Sequence, residues 1–166
     1  MPFRAASADA FTVTYNPDLR QLHGRWAGPV TEADLYAHYA ELVAAAEAHG
    51  NCRFWLLDLR ARNWHTPRFS RWYANEFSAL VCAAVGQPLY IAYLVGSAHA
   101  DHANSLITQV MQGNSAAHGL HPFYTDQDAA AHEWLQNKQL LDPQEQARRR
   151  AAVPRPGSRQ DQGRER

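Results

Sequence analysis

The residues best suited to chemistry lie between positions 60 and 71. Arg60, Arg62, Arg68 and Arg71 supply guanidinium groups, and Trp64 and His65 stand between them. Arginine binds carboxylate and phosphate groups in a planar, two-point geometry. Thr66-Pro67 has the form of a helix start, with threonine as cap and proline in the first turn. Such a start presents unpaired N–H groups and the positive end of the helix dipole. The pattern points to docking of an acidic peptide, a phosphate group or another small anion at Arg60, Arg62, Trp64, His65, Thr66, Arg68 and Arg71. The competing reading is that these guanidinium groups pair with the chain's own carboxylates or stand in solvent.

Other reactive side chains form no recognisable set. Asp58 ends an otherwise apolar run, and no partner acid, base or nucleophile accompanies it in sequence. A structural role is expected for it: bonding loop N–H groups, or pairing with Arg60 or Arg62. His99 and His102 share one helical turn, and His118 and His121 repeat that spacing. Neither pair matches HExxH or comes with a cysteine pair, so no metal is expected. GxGxxG, Walker A and GxSxG sequences are missing, so no cofactor is expected. Ser97 lacks an elbow motif or a placed acid. Cys52 and Cys82 read as small buried apolar residues, not as a disulfide framework.

These side chains must be positioned by an alternating series of elements. Residues 11–15 and 19–26 alternate apolar and polar residues around Asn16-Pro17-Asp18, which predicts an antiparallel hairpin. Thr31 caps a first helix that presents Leu35, Tyr39, Leu42, Val43 and Ala46 on one face and stops at Gly50. Residues 53–59 and 89–95 read as strands covered on both sides. One continuous helix is expected from Thr66 to Gly86, and another from about His99 to Ala117. A short strand over 122–125 follows, and Asp126 is expected to cap a last helix ending near Leu141. Trp26 and Trp64 flank loops and are expected to be exposed. Most other aromatic residues follow core periodicity.

The 166 residues suffice for one domain, and an apolar fraction of 46% supplies a core. Residues 1–10 are expected to be a flexible N-terminus, 11–141 the domain, and 142–166 a disordered basic tail with too few apolar residues to offset its chain entropy. Residues 1–142 carry 9 Lys/Arg against 13 Asp/Glu, and residues 143–166 carry 7 against 3. A mildly acidic body argues against broad nucleic-acid binding. With no apolar run of about 20 residues and no signal core, neither a membrane span nor a leader is expected, and the location expected is the cytoplasm.

The order ββαβαβαβα, Gly28-Pro29-Val30-Thr31 opening the first helix, and Leu57-Asp58-Leu59 closing the third strand resemble the STAS superfamily, and within it the SpoIIAA-like or STAS/SEC14-type proteins. The resemblance runs from about Phe11 to Leu135. It implies an α/β, STAS-like single domain with a mixed, mostly parallel sheet and helices packed against it. It also implies a non-enzymatic regulatory module that docks a protein partner around the Arg60–Trp72 loop and helix start. The chain departs from the family at the phosphorylation motif. Thr66 stands at the motif's aspartate, Pro67 and Arg68 at its serines, and Phe69 at its glycine, so the acceptor serine is missing. The SEC14-like relationship implies an alternative: a carrier or sensor holding an apolar or anionic small molecule between helices and sheet.

Overall fold

A computed structural model describes residues 10–62, 66–97, 113 and 115–154. Five strands form one sheet in the spatial order of the chain: β1 (Phe11–Asn16), β2 (Gln21–Trp26), β3 (Phe54–Asp58), β4 (Leu89–Leu94) and β5 (Leu120–Thr125). β1 and β2 pair antiparallel; every later neighbour is parallel. The α/β class with a mixed, mostly parallel sheet therefore holds.

The hairpin turns where Asn16 Oδ1 accepts the Leu19 N–H at 3.0 Å and Arg20 adopts a φ of 54°. Helix α1 (Glu32–Ala48) starts where Thr31 Oγ1 accepts the Asp34 N–H at 3.2 Å, and the chain reverses at Gly50, φ 69°. β3 is buried on both faces, with alternate residues serving each. Trp55 and Leu57 join a large core beneath α1 and the helices after β3, whereas Phe54 and Leu56 join a smaller one on the opposite face. Gly24 in β2 marks how closely these layers approach, because a Cβ there would meet Leu57 Cδ2 at 2.7 Å and Leu42 Cδ2 at 3.1 Å.

The single helix expected from Thr66 to Gly86 is interrupted. Helix α2 (Pro67–Trp72) passes into a π-helical turn (Tyr73–Phe77) and then α3 (Ser78–Val85). Ser78 Oγ lies 2.6 and 2.7 Å from the carbonyl oxygens of Tyr73 and Ala74, answering acceptors in the widened turn. The turn keeps Tyr73 and Phe77 stacked on each other, with centroids 5.5 Å apart, and both packed against the large core.

On the opposite face, α4 (Asp128–Leu141) covers β3, β4 and β5 through Ala131, Leu135 and Trp134. Its cap is Gln127, not Asp126: Thr125 Oγ1 takes the Gln127 N–H at 3.1 Å, which moves the start by one residue. β5 forms one edge of the sheet. The bonds Leu89 N–H to Gly119 C=O and Val95 N–H to Thr125 C=O assign its odd-numbered residues to β4, so Pro122 belongs to the outward set.

Two further expectations fail. The tail is ordered well past Leu141: α5 (Pro143–Ala152) follows, and Asp142 and Glu145 are among the most buried polar residues. A count of apolar residues missed it because polar contacts hold it. Asp142 caps the helix through the Glu145 N–H at 2.9 Å and binds buried Arg53. Trp26 is fully buried rather than exposed, since its indole donates to His38 Nδ1 at 3.0 Å and its ring packs 4.5 Å from Phe11. The helix expected near 99–117 falls mostly outside the described residues; residues 115–117 are helical.

Candidate functional site

The region after β3 is built outward from Asp58. Its position in the strand turns its side chain toward the face that α4 covers. Arg60 folds back on it: Nη2 lies 2.8 Å from Oδ2, Nε 3.0 Å from Oδ1, and the Arg60 backbone N–H reaches Oδ1 at 3.1 Å. Arg60 Nη1 also reaches Asp128 Oδ2 at 3.2 Å, which ties the loop to the start of α4. Burial acts to raise the Asp58 carboxyl, but the Arg60 side-chain and backbone hydrogen bonds outweigh it and hold the group below its ordinary value. Asp58 therefore has the structural role expected of it.

Arg62 goes the other way. It is buried, and its guanidinium carbon lies 4.5 Å from the centre of the Trp26 ring on the α1 side of the sheet. Thr66 Oγ1 takes the Phe69 N–H at 3.2 Å, so the predicted cap forms. Phe69 turns inward, while Arg68 and Arg71 point into solvent. Among the described residues, neither Arg68 nor Arg71 has a carboxylate within ion-pairing distance. Trp64 and His65 lie outside the described residues. The arginines thus do not share one surface, as the sequence pattern suggested. Arg60 and Arg62 bind the protein's own groups on opposite faces of the sheet, Arg60 at the surface and Arg62 buried, and only Arg68 and Arg71 are exposed without a described carboxylate.

Beside those two lies an aromatic pair: Trp72, whose spacing follows core periodicity, and Tyr36, which the sequence pattern did not single out. Tyr36 of α1 and Trp72 of α2 are half-buried and meet edge to face, with centroids 4.6 Å apart. The Tyr36 hydroxyl donates to Glu32 Oε1 at 3.0 Å. Burial raises its pKa first, with Glu32 adding to the rise and nearby Arg68 opposing it. The spacing 68, 71, 72 on one helix was the available signal; the contribution of α1 was not.

The remaining reactive groups are quiet. Tyr93 donates its hydroxyl to that of Tyr73 at 2.6 Å, and Tyr124 stacks on Tyr93 at 4.9 Å. Burial pushes Tyr73 and Tyr93 well above the ordinary tyrosine value, so they stay protonated. It also raises Cys52, and pushes Cys82 up to about 11, leaving little thiolate in either case. Among the described residues no three His, Cys, Asp or Glu side chains gather as metal ligands. His99 and His102 lie outside that set. His121 stacks on Tyr90 at 5.5 Å.

At the other end of β3, a small open cleft is lined by Tyr15, Arg20, His49, Cys52, Arg53 and Glu145, among others. Its charges are internally matched. Arg53 is paired with Asp142, and Arg148 donates to the Gly50 carbonyl at 3.1 Å. Arg20 Nη1 sits 2.9 Å from Glu145 Oε1, close enough to attract though outside hydrogen-bond alignment. The sequence signal for this latch was Asp142-Pro143-Gln144-Glu145, a capping pattern with proline in the first turn.

Among the described residues no helix is long and apolar enough to cross a membrane. Comparison with protein-family models, with curated proteins and with solved structures finds no match for this chain.

Proposed function

We propose that this chain is a non-catalytic binding module that docks an acidic partner protein on the flank formed by α1 and α2. One observation carries the reading: Arg68 and Arg71 stand exposed and without a described carboxylate, next to the half-buried Trp72 and Tyr36. Tryptophan, tyrosine and arginine are the residues that most often anchor protein interfaces. Arg60 and Arg62 act as scaffold for this surface and not as its contacts. The raised thiols and tyrosines and the ion-paired Asp58 support a role without chemistry of its own. The resemblance to STAS-type regulatory modules supports the same class of function, with control by partner level or localisation, since no serine occupies the acceptor position.

The test is quantitative affinity capture with R68E/R71E beside K138E, which changes a charge on the α4 side of the sheet. A partner that is lost with R68E/R71E, kept with K138E and released by salt supports the reading. Partners unchanged by R68E/R71E would overturn it. Native mass spectrometry of the same preparation separates the alternative, because a co-purifying small molecule of constant mass favours a carrier or sensor.

A further inference from the structure

β1 closes the sheet on the side opposite β5, and among the described residues nothing pairs with its outer side. Edge strands are commonly blunted by charge, proline or a bulge. β1 has none of these: its sequence is Phe-Thr-Val-Thr-Tyr-Asn, in regular register with β2 from Phe11↔Trp26 to Asn16↔Gln21. The Ala27 N–H bonds the Ala10 carbonyl at 2.9 Å, which makes Ala10–Ala27 a hydrogen-bonded pair. Such pairs alternate along an antiparallel ladder. Thr12 and Thr14 therefore spend their backbone groups on β2. Phe11, Val13 and Tyr15 direct theirs outward.

The outward set is symmetric about Val13, both in backbone and in side chains. We propose that β1 pairs antiparallel with β1 of a second copy of this chain about a twofold axis at Val13. In that register Val13 exchanges both bonds with its equivalent, and Phe11 exchanges both with Tyr15 of the other copy. Every outward donor and acceptor of the three residues finds a partner. On the uncovered face, exposed Thr12 meets Thr14 of the other copy in the closer, non-hydrogen-bonded spacing, where threonine pairs are favourable. On the other face Phe11 and Tyr15 come together, each already backed by a histidine, His38 of α1 at 4.4 Å and His49, the residue after α1, at 4.3 Å. No charge has to be buried along the strand. α4 packs over β3, β4 and β5, and so leaves this edge clear. A second copy is favoured over an unrelated strand because the hydrogen-bond pattern and the aromatic-Thr-Val-Thr-aromatic order are both self-complementary.

Sedimentation velocity on the full chain across micromolar concentrations tests this, together with two variants at solvent-exposed positions. Wild type is expected to reach twice the chain mass, with the Phe11, Val13 and Tyr15 amides gaining exchange protection as concentration rises. T12K/T14K sets lysine against lysine at both threonine contacts and should weaken the dimer about tenfold or more, with an unchanged far-ultraviolet spectrum. T12K/T14E sets lysine against glutamate at the same contacts and should associate at least as well as wild type. A monomeric wild type, a dimer indifferent to T12K/T14K, or a T12K/T14E variant as weak as the double lysine would each overturn the proposal.

Discussion

Arg53 grips both carboxylate oxygens of Asp142 across 89 positions of sequence, Nη1 to Oδ2 at 2.9 Å and Nη2 to Oδ1 at 2.6 Å. Both side chains are almost wholly buried, and Arg53 Nη1 also reaches the Pro88 carbonyl at 2.9 Å. The pair fastens α5 to the start of β3. Removing one partner leaves an uncompensated buried charge, which typically costs about 3–5 kcal/mol. D142A, which also removes the α5 cap, is expected to lower stability by at least that amount in urea unfolding. R53M/D142L should recover most of the loss, because a well-packed apolar pair is often no worse than a buried ion pair. Equal stability of D142A and wild type would show that the latch contributes nothing.

The same pair fixes a sign for acid stability. Hydrogen bonds from the Arg53 side chain lead the causes that hold the Asp142 carboxyl below its ordinary value, and burial opposes them. A lowered carboxylate stabilises the fold above its unfolded pKa of about 3.9, and that stability is lost as pH falls through the folded value. Unfolding measured from about pH 5 downward should steepen below about pH 4. R53M/D142L should lose part of that steepness.

His38 adds a second, milder dependence. Burial lowers its pKa, and its Nδ1 accepts the Trp26 indole N–H at 3.0 Å, so the folded state holds the ring neutral. Below an unfolded pKa of about 6.5 the unfolded chain takes up the proton first, and stability falls with pH until the folded value is passed. The melting temperature is expected to drop between about pH 7 and pH 5.5. H38Q, which keeps an acceptor and does not titrate, should flatten that slope. An unaltered slope in H38Q would remove His38 as the cause.

Arg62, Arg68 and Arg71 should separate by what they do. R62A removes a buried guanidinium from the Trp26 ring and is expected to cost about 1–2 kcal/mol. R62K should not restore it, because the planar stacking group is lost. R68A and R71A lie at the surface and should stay within about 0.5 kcal/mol of wild type. Urea unfolding of the series checks the division. A stable R62A would mean that Arg62 is not scaffold.

Both thiols should resist alkylation in the native protein. Cys52 and Cys82 are buried, and burial pushes Cys82 up to about 11. Iodoacetamide labelling followed by mass should be slow at neutral pH and fast in denaturant. Rapid labelling of either residue in the native state would contradict its placement.

Periodicity carried most of the architecture. The hairpin, both central strands, the first helix and the two threonine caps could be read from alternation, apolar runs and Thr/Pro signals, since each is determined by neighbours in sequence. Asp58 was also legible, because a lone carboxylate at a buried strand end needs a close donor, and Arg60 stands two positions on. What stayed hidden depends on distant partners. Trp26 is buried by His38 and Arg62, Asp142 by Arg53, and Arg60 is drawn across to Asp128. Clustering of arginine in sequence said nothing about direction: residues 60 and 62 leave the strand toward opposite faces. The π turn at Tyr73–Phe77 was not legible either; it places Tyr73 6.0 Å from Tyr39 of α1, a contact that no local pattern records.

Pro122 gives the sheet a direction. At the midpoint of β5 it withholds an amide from any chain approaching that margin. The opposite margin, used up by one antiparallel match, has nothing left to offer a newcomer. A ladder built this way terminates as a finite object of two subunits, so the chain can carry an unguarded strand without the risk of growing into a fibre.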